Sequence, residues 1–465
     1  MKNHLIWVAL ALLMTARAFG DPAPIPEFVS NLVSRHPESA AVAARTDQIA
    51  GQQNEADAAF DPSLSQATQV RTSGYYDGLY AEQGVLQPLG NLGAEVYGKY
   101  KISDGALPVY EQAYETLDGG EFSLGIRMPL LQDRETDARR LAVSNAAWSY
   151  LEAEARQNLL LNDLVFRGVS AWLDWYLSLN KLAVVEALVT LTEARLSAIE
   201  QRVADGDLAA ITLTEYRVTL IQRQLLAQSA QQQVAMAEQR LAYYQVPASG
   251  SVVENAGHSN RQPMTVPAII WPYAMPDSAT KSFTTEIDQH PGLQALQAAL
   301  EKAENRRRLA NNEVLPELDL EMRVAQDFGS GPEYLDGTES VVGLSFSMPI
   351  GRRAARARSS IAESKVRELE YESQVLTQKI LRDVAVATTG LANARRILEM
   401  SVNREALATQ LLEQERVRFY EGVSDQFLLI SREKAALEAS LGRIDAELAI
   451  YRQELRLHQS LALLP

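Results

Sequence analysis

The chain of 465 residues contains no cysteine. That excludes a disulfide framework, a thiol nucleophile and a lipid-modified N-terminal cysteine together. Beyond the N-terminus no apolar run approaches the roughly 20 residues that a membrane-spanning helix needs. Basic residues are in deficit, 44 Lys and Arg against 59 Asp and Glu. Nucleic-acid recognition requires a basic footprint and is set aside on that ground. No Gly-rich loop ends in Gly-Lys-Ser/Thr, so no nucleotide-driven step is expected. The 5 histidines and 9 methionines form no cluster that would mark a metal route. Carboxylates are numerous but scattered over helix faces, and no Ser/His/Asp arrangement converges. The sequence therefore predicts neither an enzyme nor a cofactor or metal site.

What is present begins with a secretory signal over residues 1–20. Lys2 supplies the positive start, Leu5 to Met14 the apolar core, and Ala18-Phe19-Gly20 the small residues before a cleavage point at Asp21. The apolar part is too short for a membrane anchor. Loss of Lys2 and Arg17 takes the basic count from 44 to 42 against 59 acidic residues, a net of −17. Only helices and closed barrels satisfy the backbone in lipid. An exported chain without an apolar helix could therefore cross a membrane only as a β-barrel, and the outer membrane of a Gram-negative envelope is where that applies.

One long pattern is written twice. Phe122-Ser123-Leu124-Gly125-Ile126-Arg127-Met128-Pro129 precedes a helical run to Gly206 and a return to Tyr244. Val342-Gly343-Leu344-Ser345-Phe346-Ser347-Met348-Pro349 precedes another to Gly422, with a return to Leu461. Upstream, His36-Pro37 and Pro62 bracket a helix, as do His290-Pro291 and Pro316, with the same 26-residue spacing from His to closing Pro. A period this long means two copies of a large unit rather than a solenoid. The histidines have no partner ligands at helical spacing and are read as residues before a helix-starting proline. The predicted divisions are a first repeat over 21–245, a linker over 246–289 and a second repeat over 290–465.

The strands alternate. Leu318, Leu320, Met322 and Val324 interleave with Glu317, Asp319, Glu321 and Arg323. Leu344 and Phe346 repeat the apolar positions after them, as do Phe122, Leu124 and Ile126 in the first copy. Apolar outside and polar inside is the pattern of a transmembrane barrel strand, and these residues are the expected lipid contacts. A soluble amphipathic hairpin shares that alternation. The stretch from Pro62 to Pro129 is twice as long as that from Pro316 to Pro349. The surplus, with Gly74-Tyr75-Tyr76-Asp77-Gly78 and an alternating run from Ala94 to Ile102, fits a long extracellular loop with its own hairpin or an additional pair of strands. The loop is favoured, because loops on that side of a barrel are the longer ones.

Basic clusters follow each second strand: Arg134, Arg139 and Arg140, then Arg352, Arg353, Arg356 and Arg358. They read either as a collar on lipid phosphates or as a solvated helical turn. Asp133 to Ala204, at about 1.5 Å per residue, is a helix of roughly 105 Å. No ordinary core buries such a length, so it must run in a coiled coil or a tube. Ala171, Trp172, Trp175, Leu179, Leu188, Leu191, Ala194, Leu196 and Val203 supply its apolar stripe. The chain reverses at Asp205-Gly206-Asp207 and at Glu421-Gly422-Val423, where glycine permits the left-handed backbone of a helix end. Arg202 and Arg418 stand four residues before those glycines. The linker, which contains Trp271-Pro272-Tyr273, is rich in Pro, Ser and Asn and is expected to wrap around the outside of the helices.

In this order the elements resemble the TolC-like outer-membrane efflux proteins, over essentially all of the chain beyond the signal. The resemblance implies a mainly α fold with a β-barrel part: a homotrimer in which each chain gives four strands to one 12-stranded barrel in outer-membrane lipid, continued by a periplasmic α-helical tunnel. It implies an outer-membrane channel of a tripartite efflux or type I secretion system. The hairpin tips would gate the tunnel and dock a periplasmic membrane-fusion adaptor tied to an inner-membrane transporter. Those tips are Arg202, Gly206, Asp207 and Leu208, and Arg418, Gly422, Val423 and Asp425. Of the basic residues, Arg134, Arg139, Arg352 and Arg353 would form the membrane-interface collar. The family's usual acidic tip positions are here Thr212 and Leu428, so a carboxylate gate does not follow. A periplasmic coiled-coil scaffold without a barrel explains the helices and leaves the two-faced strands unexplained.

Overall fold

The computed structural model describes residues 24–74, 77–105, 114–245, 271–274 and 283–465. The signal segment and most of the expected linker lie outside them. The elements in order are α1 (Ile25–Arg35), α2 (Pro37–Asp57), β1 (Ser63–Arg71), β2 (Gly78–Pro88), β3 (Glu95–Gly105), β4 (Glu121–Pro129), α3 (Ala138–Ala204) and α4 (Ala210–Ala242). Then come α5 (Thr284–Asp288), α6 (Pro291–Asn312), β5 (Glu317–Asp327), β6 (Thr338–Ser347), α7 (Arg353–Tyr420) and α8 (Gln426–Ser460). The fold is mostly helical with one antiparallel sheet, and the chain divides into two compact units.

One unit holds the described residues of 44–156 and 292–376 and contains the sheet. Its strand order is β1-β2-β3-β4-β5-β6, each strand hydrogen-bonded to the next. Six strands replace the expected four. The segment expected as a long loop supplies β2 and β3, paired in unbroken register from Gly78↔Gly105 to Pro88↔Glu95. The reason is local chemistry: Leu79, Ala81 and Val85 alternate with Tyr80, Glu82 and Gly84, the same two-faced pattern as the other strands. A tight turn joins them, with Leu92 and Gly93 both left-handed at φ 62° and 64°. Leu89 N–H donates to the Ala94 carbonyl at 2.8 Å and closes it.

The long helices are as extended as the sequence implies, 67 residues for α3 and 68 for α7, with returns of 33 and 35. α3 starts at Ala138 rather than Asp133, because Asp133 itself takes a left-handed backbone at φ 64°. Arg352, just before α7, does the same at φ 36°. Along α7 the buried residues Ala362, Val366 and Leu369, and then Ile380, Val384, Ala387, Leu391 and Ala394, recur at three- and four-residue steps, with half-buried Ser373 and Leu376 carrying the heptad seam between the two runs. On α3, Trp172, Trp175 and Leu179 are buried as expected, but Ala194 is exposed and the seam runs through Val185, Thr192 and Ile199. Successive steps of seven carry it there, where a strict 3.6 period would drift away.

The second unit holds the described residues of 1–43, 157–291 and 377–465. Its core gathers Ile25, Phe28 and Leu32 of α1 with Leu164, Val169, Trp172 and Leu173 of α3, Val234 and Leu241 of α4, and Leu448 and Leu455 of α8. Tyr273, from the expected linker, is buried in the same cluster and Trp271 packs on it, with its indole N–H donating to Glu454 at 2.7 Å. His36 ends α1, and Pro37 opens α2 as Pro291 opens α6. The His36 ring is buried, accepts the Glu38 N–H at its Nδ1 at 3.2 Å, and packs on Tyr243 and Tyr244. Among the described residues no helix is long and apolar enough to cross a membrane, and no group of His, Asp and Glu is arranged to hold a metal.

Candidate functional site

The sheet has two chemically opposite faces, and strand register fixes which residue lies on which. Across the ladder Leu64, Val85, Gly98, Leu124, Val324 and Ser340 share one face. The predicted lipid contacts all belong to it, since Phe122, Leu124 and Ile126 pair with Gln326, Val324 and Met322, and Leu318 and Leu320 pair with Phe346 and Leu344. This face is bare: Leu124 is 54 %, Phe346 64 % and Leu344 66 % exposed. A contiguous apolar surface of this kind needs a nonaqueous neighbour.

The other face is a ladder of opposed charges. Lys101 Nζ lies 2.6 Å from Glu121, whose second oxygen is 3.7 Å from Arg323. Arg323 also reaches Glu339 at 2.9 Å, and Lys99 pairs with Glu82 at 3.0 Å. The Tyr97 hydroxyl donates to Glu321 at 2.6 Å, with Arg127 3.8 Å from the same carboxylate. Tyr97 lies over Gly125 of the neighbouring strand, so close that a Cβ there would overlap its ring. Glu82, Tyr97, Lys99, Lys101, Glu121 and Arg323 are among the residues that line a concavity of about 530 Å³. Fixed charges of both signs keep such a surface wetted without favouring one sign of solute.

At the strand-to-helix junctions the predicted collar residues have different fates. Arg139 Nη1 donates to Glu95 at 2.6 Å, and Arg140 is spent on Asp137 and on the Asp133, Arg134 and Glu135 carbonyls. Arg134 contributes its carbonyl to that set. Arg352 and Arg353, with Arg358, Asp133, Glu313 and Glu317, line a mixed-charge cleft of about 490 Å³. Burial, reinforced by neighbouring Asp137, raises the Asp133 carboxyl above its usual range.

The helix reversals repeat bond for bond. Asp207 N–H donates to the Arg202 carbonyl and Gly206 N–H to Val203, at 2.9 and 3.2 Å. Val423 donates to Arg418 and Gly422 to Phe419, at 2.9 and 3.1 Å. This is the double bond of a Schellman motif, and it needs the left-handed glycines, φ 82° at Gly206 and 75° at Gly422. Val423 is exposed, and Leu208 half-buried. Asp425 caps α8 by accepting the Leu428 N–H at 2.8 Å, whereas Ala209 leaves α4 uncapped. Thr212 and Leu428 are turn-proximal helix residues, and neither adds a carboxylate.

One constellation has no counterpart in the sequence reading. Glu433 of α8, 2 % exposed, is held by Arg195 of α3 and Arg223 of α4, and Arg223 also donates to Thr192. Its signal was present. The buried positions of α4 run Tyr216, Arg223, Ala227, Ala230, Val234, Ala237 and Leu241 at heptad steps, so Arg223 is a charge on an apolar seam. A charge placed there demands a buried partner.

Residues 285–463 match the family model described as "Outer membrane efflux protein". The outer membrane efflux protein BepC of Brucella suis biovar 1 (strain 1330) is 22% identical over 332 residues, 68% of this chain and 65% of that protein, just under two thirds of its length. Among solved structures, the outer-membrane channel OprN superposes with a TM-score of 0.67 at 16% identity, covering 94% of this chain and 89% of that one. The outer membrane protein VceC from Vibrio cholerae gives 0.64 at 14% identity, covering 94% and 96%. With its duplicated strand-and-hairpin order, the chain shares the fold of these outer-membrane channels, and its residues 285–463 are similar to the outer membrane efflux proteins.

Proposed function

We propose that this protein is an outer-membrane channel of a tripartite efflux or type I secretion system, a passive conduit from an inner-membrane pump to the exterior. The observation that carries the reading is the two-faced sheet. Its apolar face is exposed, its opposite face is charged, and its outer strands β1 and β6 each have one strand edge without a partner strand among the described residues. An open edge is a template for another chain, and a two-sided sheet in lipid must close. Three copies joined β6 to β1 satisfy both demands in a closed ring. A periplasmic scaffold would leave the apolar face in water.

On this reading the two repeats, 21–245 and 290–465, each give a helical hairpin to a periplasmic tunnel, with residues 246–289 as the segment between them. The tips at Arg202–Leu208 and Arg418–Asp425 dock a membrane-fusion adaptor, and their repacking opens the passage. Arg134, Arg139, Arg352 and Arg353 stand toward lipid phosphates at the periplasmic face of the outer membrane. No chemistry is done on the solute; enclosed water lowers its cost of passing the lipid, and the driving force comes from the inner-membrane transporter. The test is fractionation followed by reconstitution. A heat-modifiable trimer in the outer-membrane fraction that conducts ions in planar bilayers is the expected result. A compact monomer in the soluble periplasmic fraction would refute it.

A further inference from the structure

We infer that the hairpin β2–β3 is part of the transmembrane wall, so that three copies close a ring of 18 strands whose mouth passes bulkier hydrophilic solutes than a 12-stranded ring. The inference rests on the channel reading above. β1 and β4 are not neighbours; β2 and β3 stand between them in continuous register with both. The pair cannot fold away as a loop without breaking two ladders. Each strand has 11 residues, about the length that crosses a hydrocarbon core.

The faces agree with this. Leu79, Val85 and Tyr100 are exposed on the apolar side, at 38 %, 47 % and 40 %. Glu82, Lys99 and Lys101 stand on the charged side, bonded across the sheet to one another and to Glu121. A hairpin lying in water outside the membrane would have no need of an apolar face. Its turn is also tied at the base of the sheet: Gln87 Nε2 donates to the Phe60 carbonyl at 2.7 Å, and Glu95 binds Arg139.

Strands about 4.8 Å apart and tilted about 40° put the backbone of an 18-stranded ring near a diameter of ~36 Å, against ~24 Å for 12 strands. Equivalent Cα atoms of three copies then lie ~31 Å rather than ~21 Å apart, by the same spacing and tilt. The absence of cysteine makes the measurement direct. Leu344→Cys, on the exposed apolar face, is labelled with a nitroxide, and dipolar spectroscopy is recorded on the purified assembly. One distance is expected, ~10 Å longer than a 12-stranded ring would give, because the outward labels add equally to both radii. The shorter separation would overturn the inference and leave the three-copy channel standing, whereas no dipolar coupling would remove the assembly and the inference together.

A second measurement does not depend on ring size. In membranes, Lys99→Cys should react with a membrane-impermeant thiol reagent while Val85→Cys is shielded until detergent is added. Equal and complete reaction at both would place the hairpin outside the lipid and overturn the inference.

Discussion

Arg223 of α4 donates to the Glu433 carboxylate of α8 at 2.7 Å, while Arg195 of α3 takes its other oxygen. Three helices of one unit are thus joined through a single buried carboxylate. Removing only the anion leaves two buried cations facing each other. Glu433→Ala should destabilise the protein by about 3–5 kcal/mol, the cost of breaking a buried ion pair from one side. Replacing all three with packed apolar residues should recover most of that. A thermal melt of both variants in detergent checks the pair of outcomes, and equal losses would show the charge to be incidental.

Glu38 carries the pH prediction. Its carboxylate accepts from Arg167 at 2.7 Å and from the Tyr243 hydroxyl, and these bonds, the Arg167 one foremost, hold its pKa below the ordinary 4.5. A depressed carboxylate adds stability that is whole above its unfolded pKa and lost as pH falls through the folded one. Melting temperature should therefore fall on the acid side of pH 4.5, and Glu38→Gln should flatten that limb while lowering stability at neutral pH. An unchanged acid limb in the variant would count against the network.

The tip glycines are required for conformation and not for space. Nothing lies within 4 Å of a Cβ built on Gly206 or Gly422. Valine at either should cost roughly 1–2 kcal/mol through the left-handed backbone alone. Because the cost falls at the reversal, the Gly206→Val, Gly422→Val double variant should still assemble but lose export. Wild-type export by that variant would refute the tip assignment.

Gly125 is the opposite case. A side chain there would strike the Tyr97 ring and part its hydroxyl from Glu321. Gly125→Val should cost about 1–3 kcal/mol by overpacking. The loss should appear as a lower temperature of heat-modifiable migration on a gel, whereas Gly343→Val, with open space around it, should show little change.

Much of this molecule is legible in its sequence because its signals are periodic. Gly206 and Gly422 mark the reversals, His36-Pro37 and His290-Pro291 the helix starts, and alternation the faces of β4, β5 and β6. β2 escapes that reading because Gln83 and Gln87 dilute its apolar face, and length alone favours a loop. The helix start at Ala138 escapes it because a left-handed Asp133 leaves no mark in a pattern. Glu433 escapes it because a buried acid on a helix reads like a solvated one until its partners, on two other helices far off along the chain, are in place.

The inserted hairpin sits in one repeat only, between β1 and β4, while both helical reversals keep the same bonds. In a three-copy ring the reversals would therefore present six near-equivalent knuckles, whereas the sheet would offer alternating arcs of four and two strands. A protein that clasped those reversals would meet a surface of nearly sixfold symmetry; one that met the strands would find a surface that is only threefold.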